Sequence, residues 1–111
     1  MPTPSQLPAR ERAARSRLRQ ILMQDCGLIR ATWVRLRRRC GGKGCRCAKG
    51  RRHWHETPMI SQSRDGKLRR KSIPHDVKEQ VDRWLKQYWE ARELLDRISD
   101  EYWERLEKSR R

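Results

Sequence analysis

Phenylalanine is absent from this chain of 111 residues, and apolar residues of all kinds make up only 34% of it. Such scarcity excludes a large hydrophobic core. No window approaches the roughly 20 consecutive apolar residues that a membrane-crossing helix needs. Nor does an apolar run of the roughly 7–15 residues of a secretory signal follow the basic N-terminus. The expected setting is therefore cytoplasmic, with no membrane partner. Signatures of catalysis are missing too: no phosphate-cradling glycine loop, no paired-carboxylate constellation and no nucleophile elbow. Three cysteines with Glu56 as a base resemble a zinc deaminase only superficially. That signature needs a histidine–glutamate pair ahead of a separate Cys-x2-Cys, which this chain lacks. The expectation is a protein that is not an enzyme.

Acidic residues are also in short supply, 14 against 29 lysines and arginines, for a net charge of +15. The excess is local. Residues 1–29 carry +3, residues 72–111 carry −1, and residues 30–71 carry +13. A segment of that charge density repels itself unless a polyanion neutralises it, and nucleic acid is the commonest such partner.

What the basic segment does contain is a compact set of metal-ligand residue types. Cys40, Cys45, Cys47, His53 and His55 fall within sixteen residues, threaded with Gly41, Gly42 and Gly44. Cysteine thiolates and a neutral imidazole are ligands that Zn²⁺ takes in closed tetrahedral sites. The expected ligands are Cys40, Cys45, Cys47 and His53, with His55 competing for the fourth place. Cys45 and Cys47 are too close to fit a pair of ordinary disulfides comfortably; disulfides or free thiols are the alternatives to zinc. A closed site leaves no open position for water, as catalytic zinc requires. With so few apolar residues, a metal is the kind of staple that a small chain uses. Cys26 lies upstream and reads as a small buried hydrophobe, and His75 as a surface residue.

The fold class expected is α+β. Residues 1–7 read as a disordered lead-in. An N-terminal helix occupies 8–26: Pro8 suits its first turn, Ala14, Leu18, Ile21 and Leu22 share a side, and Gly27 closes it as a left-handed cap. A basic zinc-knuckle and β-hairpin module spans 28–73, with a small antiparallel, zinc-ribbon-like three-stranded sheet. In its first strand, Thr32, Val34 and Leu36 face one way, and Trp33, Arg35, Arg37 and Arg39 the other. The second face suits phosphates and stacking. After the knuckle, 57–63 and 67–73 flank Asp65-Gly66, a hairpin turn signal.

A long amphipathic helix is expected over 74–108. Val77, Trp84, Ala91 and Ile98 form one column and Val81, Tyr88, Leu95 and Tyr102 the other, a heptad sustained over four repeats. The coiled-coil patterning predicts homo-oligomerisation or a protein partner through this helix. Large rings at Trp84, Tyr88 and Tyr102 favour a loose bundle with the N-terminal helix and a further copy or partner.

Nucleic-acid contacts are expected from three groups. Trp33, Arg35, Arg37 and Arg39 lie on the first strand. Lys43, Arg46, Lys49, Arg51 and Arg52 lie in the knuckle. Arg69, Arg70 and Lys71 continue the track on the returning strand.

The segment from about Leu28 to Ile98 resembles a family of short bacterial and archaeal proteins of unknown function. The resemblance rests on Cys40-Gly41, Cys45-Arg46-Cys47-Ala48, Gly50-Arg51-Arg52-His53, the Asp65-Gly66 turn, Ile73-Pro74 and the helix that follows. Members are often encoded beside transposases, which implies an accessory role at DNA, linked to a mobile element or its transposase. DNA is favoured over RNA chiefly on that ground. Where the family tends to have His-Gly-Pro-Tyr and an aromatic strand, this chain has His53-Trp54-His55-Glu56-Thr57-Pro58. The functional expectation is a zinc-stabilised, non-enzymatic nucleic-acid-binding accessory protein. The alternative is an interaction adaptor that recruits a partner enzyme or RNA complex through its knuckle and helix.

Overall fold

A computed structural model describes residues 7–38, 50 and 55–109, the side chains of 36–38 and 55–56 excepted. The chain is α+β. In order it forms α1 (Ala9–Met23), β1 (Thr32–Arg38), β2 (His55–Arg64), β3 (Lys67–Ser72), a 3₁₀ turn (His75–Val77) and α2 (Lys78–Lys108). It divides into two compact units: Met1–Leu28 with Lys86–Arg111, and Ile29–Leu85. The C-terminal helix is thus no separate module, because its first residues belong to the sheet unit and the rest to the helical one.

Helix α1 starts where proline stops being a handicap. Pro8 sits just outside the helix with extended ψ, and its carbonyl accepts the Arg12 N–H at 3.0 Å. Proline lacks only an N–H that the first turn would leave unbonded anyway. The other end corrects the sequence reading. Gln24 turns extended (φ −70°, ψ 144°), so the helix ends at Met23, and Gly27 does not adopt the left-handed cap geometry. Cys26 is half-buried with a free thiol. In this unit Ala14, Leu18 and Ile21 of α1 pack on Ala91, Leu94 and Ile98 of α2.

The sheet runs β1-β2-β3, antiparallel throughout. Trp33 lies opposite Ile60, and Ile60 opposite Lys71, which fixes the faces. Ala31, Trp33, Ile60 and Ile73 turn toward Val77, Val81, Trp84 and Leu85 at the start of α2. Two backbone bonds hold this layer, Ile29 N–H to the Trp84 carbonyl at 3.2 Å and Ile73 N–H to the Pro58 carbonyl at 2.9 Å. Ile60, Ile73, Val81 and Leu85 are the large buried aliphatics here, each contributing about 2 kcal/mol on burial. That is a thin core for some fifty residues.

Asp65 and Gly66 close the β2–β3 hairpin with φ of 53° and 75°. Both positive values mark a type I′ turn, whose twist matches the flanking strands. Ile73-Pro74 then leads into the 3₁₀ turn, closed by Val77 N–H to the Pro74 carbonyl at 3.2 Å.

Helix α2 corrects the heptad reading. Its 31 residues, about 46 Å at the usual rise, bury Val81, Leu85, Ala91 and Leu94, whereas Leu95 is 55% exposed and Tyr102 42% exposed. A strict period of 3.5 belongs to a supercoil with one long partner. Here the helix meets a sheet in its first turns and α1 later, so the straight-helix period of 3.6 selects Leu85 and Leu94 instead. Val77, Val81, Trp84, Ala91 and Ile98 are engaged within one chain. No helix among the described residues is long and apolar enough to cross a membrane.

Candidate nucleic-acid interface

Five arginines of the helical unit are matched to carboxylates. Glu11 has a fully buried carboxylate that accepts from Arg15 Nε at 2.8 Å, Arg105 Nη2 at 2.5 Å and the Tyr102 hydroxyl at 3.2 Å. Burial pushes its pKa up, but the hydrogen bonds from Arg15, Arg105 and Tyr102 outweigh that and hold it below the ordinary 4.5. Arg17 forks onto both oxygens of Glu90 at 2.7 and 3.0 Å, which holds Glu90 below its ordinary value as well. Arg10 pairs with Glu101 and Glu104, and Arg97 with Glu93. These arginines are structural.

The sheet unit is arranged differently. Every residue of β3, Lys67-Leu68-Arg69-Arg70-Lys71-Ser72, is exposed. Alternation and register put Arg69 and Lys71 on the face that carries Ile60, with Arg70 on the opposite one. Arg69 Nε donates to Gln62 Oε1 at 2.8 Å, a neutral partner. Among the described residues, Lys67, Arg69, Arg70 and Lys71 form no ion pair with a carboxylate. A groove of about 400 Å³ runs alongside, with Ala31 and Ile60 among its apolar residues and Arg30, Arg69, Arg70 and Lys71 among its cations.

A second concavity, a cleft of about 640 Å³, lies toward the other end of the sheet and is lined by Arg35, Pro58, His75 and Lys78, with Trp33 and Asp82. Trp33 is half-buried against the core, and its indole N–H donates to Asp82 Oδ1 at 2.9 Å. The ring thus packs in part on the core and in part lines this cleft. Arg35 is exposed on the same side of the sheet.

Arg37 falls within β1. Arg39, Lys43, Arg46, Lys49, Arg51 and Arg52 lie outside the described residues, as do Cys40, Cys45, Cys47 and His53. His55 opens β2 opposite Arg38. Among the described residues there is no group of three or more histidine, cysteine, aspartate or glutamate side chains that would hold a metal. Arg30 and Arg64 carry no motif that singles them out in the sequence, yet both stand beside the basic strand. Arg30 Nη2 donates to the Ser63 carbonyl at 3.2 Å.

A family model described as a domain of unknown function, DUF6788, matches residues 5–87. The chain belongs to that family. The DUF6788 match takes in α1, the sheet and the start of α2, and therefore the basic strand and both concavities. No curated protein and no solved structure matches the chain.

Proposed function

We propose that this DUF6788 chain is a zinc-stabilised, non-enzymatic nucleic-acid-binding accessory protein, with DNA favoured over RNA. The observation that carries the reading is β3: an edge strand, exposed along its whole length, with four cations and, among the described residues, no carboxylate set against them. A self-repelling strand of this kind gains when its cations neutralise phosphates and release the counterions condensed on the polyanion. Most such contacts position the protein on the polyanion rather than specify a sequence.

Zinc enters through the donor set of the segment between β1 and β2. Cys40, Cys45, Cys47 and His53, or His55 in the fourth place, would hold it, and it would supply a cross-link and no reactive position. The pairing of Arg38 with His55 supports this assignment, because one ladder rung holds these two residues, which flank the donor segment in sequence, about 5 Å apart. The thin aliphatic core supports it too. The link to a mobile element or its transposase rests on the family resemblance of the cysteine motif.

A second reading, a docking adaptor, is favoured by the outer side of α2. Trp103, Leu106 and Leu95 are 62%, 61% and 55% exposed. A second copy or a protein partner that covers them would make the helix an assembly element.

Gel shifts of the purified chain on duplex DNA, single-stranded DNA and RNA, across a salt series, test the first reading. Affinity should fall steeply with salt on every polyanion bound, and most on the preferred one. Absence of any shift at low salt would remove the nucleic-acid reading and leave the adaptor.

A further inference from the structure

The hairpin is longer than the sheet it belongs to. Strand β1 ceases to pair with β2 at Thr32 opposite Ser61. Strands β2 and β3 go on through Gln62 opposite Arg69, Ser63 opposite Leu68 and Arg64 opposite Lys67. Residues 62–69 therefore form a two-stranded ribbon beyond the last β1 rung, about 10 Å long at the usual strand rise. Its tip is the type I′ turn, so it keeps the right-handed twist of a native ribbon. Residues 63–69 are all exposed.

The base of the ribbon is braced. Gln62 Nε2 donates to the Arg30 carbonyl at 2.9 Å, Arg30 Nη2 donates to the Ser63 carbonyl, and Arg69 Nε donates to Gln62 Oε1. Period two then sorts the side chains. Gln62, Arg64, Lys67 and Arg69 share one face, while Ser63 and Leu68 share the other. The first face holds only groups that donate to, or pair with, base edges. Asp65 in the turn is 3.8 Å from Arg64 Nε and 89% exposed, too open to compete strongly.

We propose that this ribbon is a groove-reading arm. It lies in the major groove of duplex DNA, which is about 12 Å wide and admits a two-stranded ribbon. The Arg64, Lys67 and Arg69 face turns to the base edges, where arginine forks onto O6 and N7 of guanine, while half-buried Gln62 holds the base of the arm. The arm thus adds a preference for guanine-containing duplex to the general attraction of the basic strand. It rests on the nucleic-acid reading and narrows it to one substrate class.

The experiment compares wild type with Arg64→Lys/Arg69→Lys and with Arg64→Ala/Lys67→Ala/Arg69→Ala. All three substituted positions are exposed, and circular dichroism of each variant checks that the fold is kept. Probes are a guanine-rich duplex, the same duplex with 7-deazaguanine, which lacks the N7 acceptor, and its single strand. Wild type should favour the natural duplex over the deaza duplex by about tenfold and over the single strand by more. The lysine variant keeps the charge but loses the guanidinium fork, so its preference for the natural duplex should shrink. The alanine variant should also lose overall affinity. Equal wild-type affinity for natural and deaza duplexes, or an unaltered preference in the lysine variant, overturns the arm while leaving nucleic-acid binding intact. No binding by wild type to any probe overturns both.

Discussion

Five arginines of the helical unit and the four cations of β3 are used to opposite ends. In the helical unit Arg10, Arg15, Arg17, Arg97 and Arg105 each meet a glutamate, and Glu11 is buried to receive two of them. In the sheet unit Lys67, Arg69, Arg70 and Lys71 stand on an exposed edge with no acid opposite among the described residues. Charge count alone does not separate a structural cation from a binding one; the partner does. Paired cations are already neutralised and gain little from a phosphate, whereas unpaired ones gain the release of counterions.

The strongest way to break this comparison is to remove the proposed staple. Purified chain should carry about one zinc, as a single four-ligand site takes. Cys45→Ser, or a strong chelator, should release it and abolish amide protection in β1 and β2, because metal binding in a small domain is largely folding energy. Full protection with no metal detected by mass spectrometry would remove the zinc assignment.

Next is the edge strand itself. Replacing Lys67, Arg69, Arg70 and Lys71 by alanine should weaken duplex binding about a hundredfold near physiological salt. The slope of log affinity against log salt should become shallower by about three to four. Arg10→Ala and Arg17→Ala together should leave affinity within about twofold of wild type, since both guanidinium groups are held by glutamates. Equal losses in the two sets, measured by fluorescence anisotropy, would erase the distinction between paired and unpaired cations.

Glu11 sharpens the comparison from the other side. Glu11→Gln leaves Arg15 and Arg105 facing a buried neutral amide and should cost about 2–3 kcal/mol in urea melts, with no effect on DNA affinity. The pH dependence has a definite sign. A carboxylate held below its ordinary pKa in the folded state stabilises fully above the unfolded value, and that contribution is lost as pH falls through the folded one. Wild type should therefore lose stability below about pH 4.5, where the unfolded chain first takes up the proton. The Gln variant should show a flatter acid limb.

The smallest expected effect is at Trp33. Trp33→Phe keeps most of the packing but deletes the hydrogen bond to Asp82, costing about 1 kcal/mol. If Trp33 served as a stacking platform instead, the substitution would lower affinity for single strands. The expected change there is none.

Much of this architecture is legible without coordinates. A helix that starts after Pro8, the alternation of Thr32–Arg38, the Asp65-Gly66 turn and the long helix after Pro74 follow from local rules that act within a few residues: proline geometry, strand period and positive φ. The end of the first helix at Met23 does not. The +13 charge on residues 30–71 and the cysteine spacing are likewise properties of composition. The sequence by itself could not decide which cations are free, because Arg17 and Glu90 lie 73 residues apart and Glu11 and Arg105 lie 94 apart. It could not decide which apolar column of α2 is buried, since the choice between Leu94 and Leu95 depends on what packs there. Nor could it show the ribbon of 62–69, which exists because β1 ends three rungs before the hairpin does. Each of these is a relation between distant segments, and only the folded chain brings such segments within bonding reach.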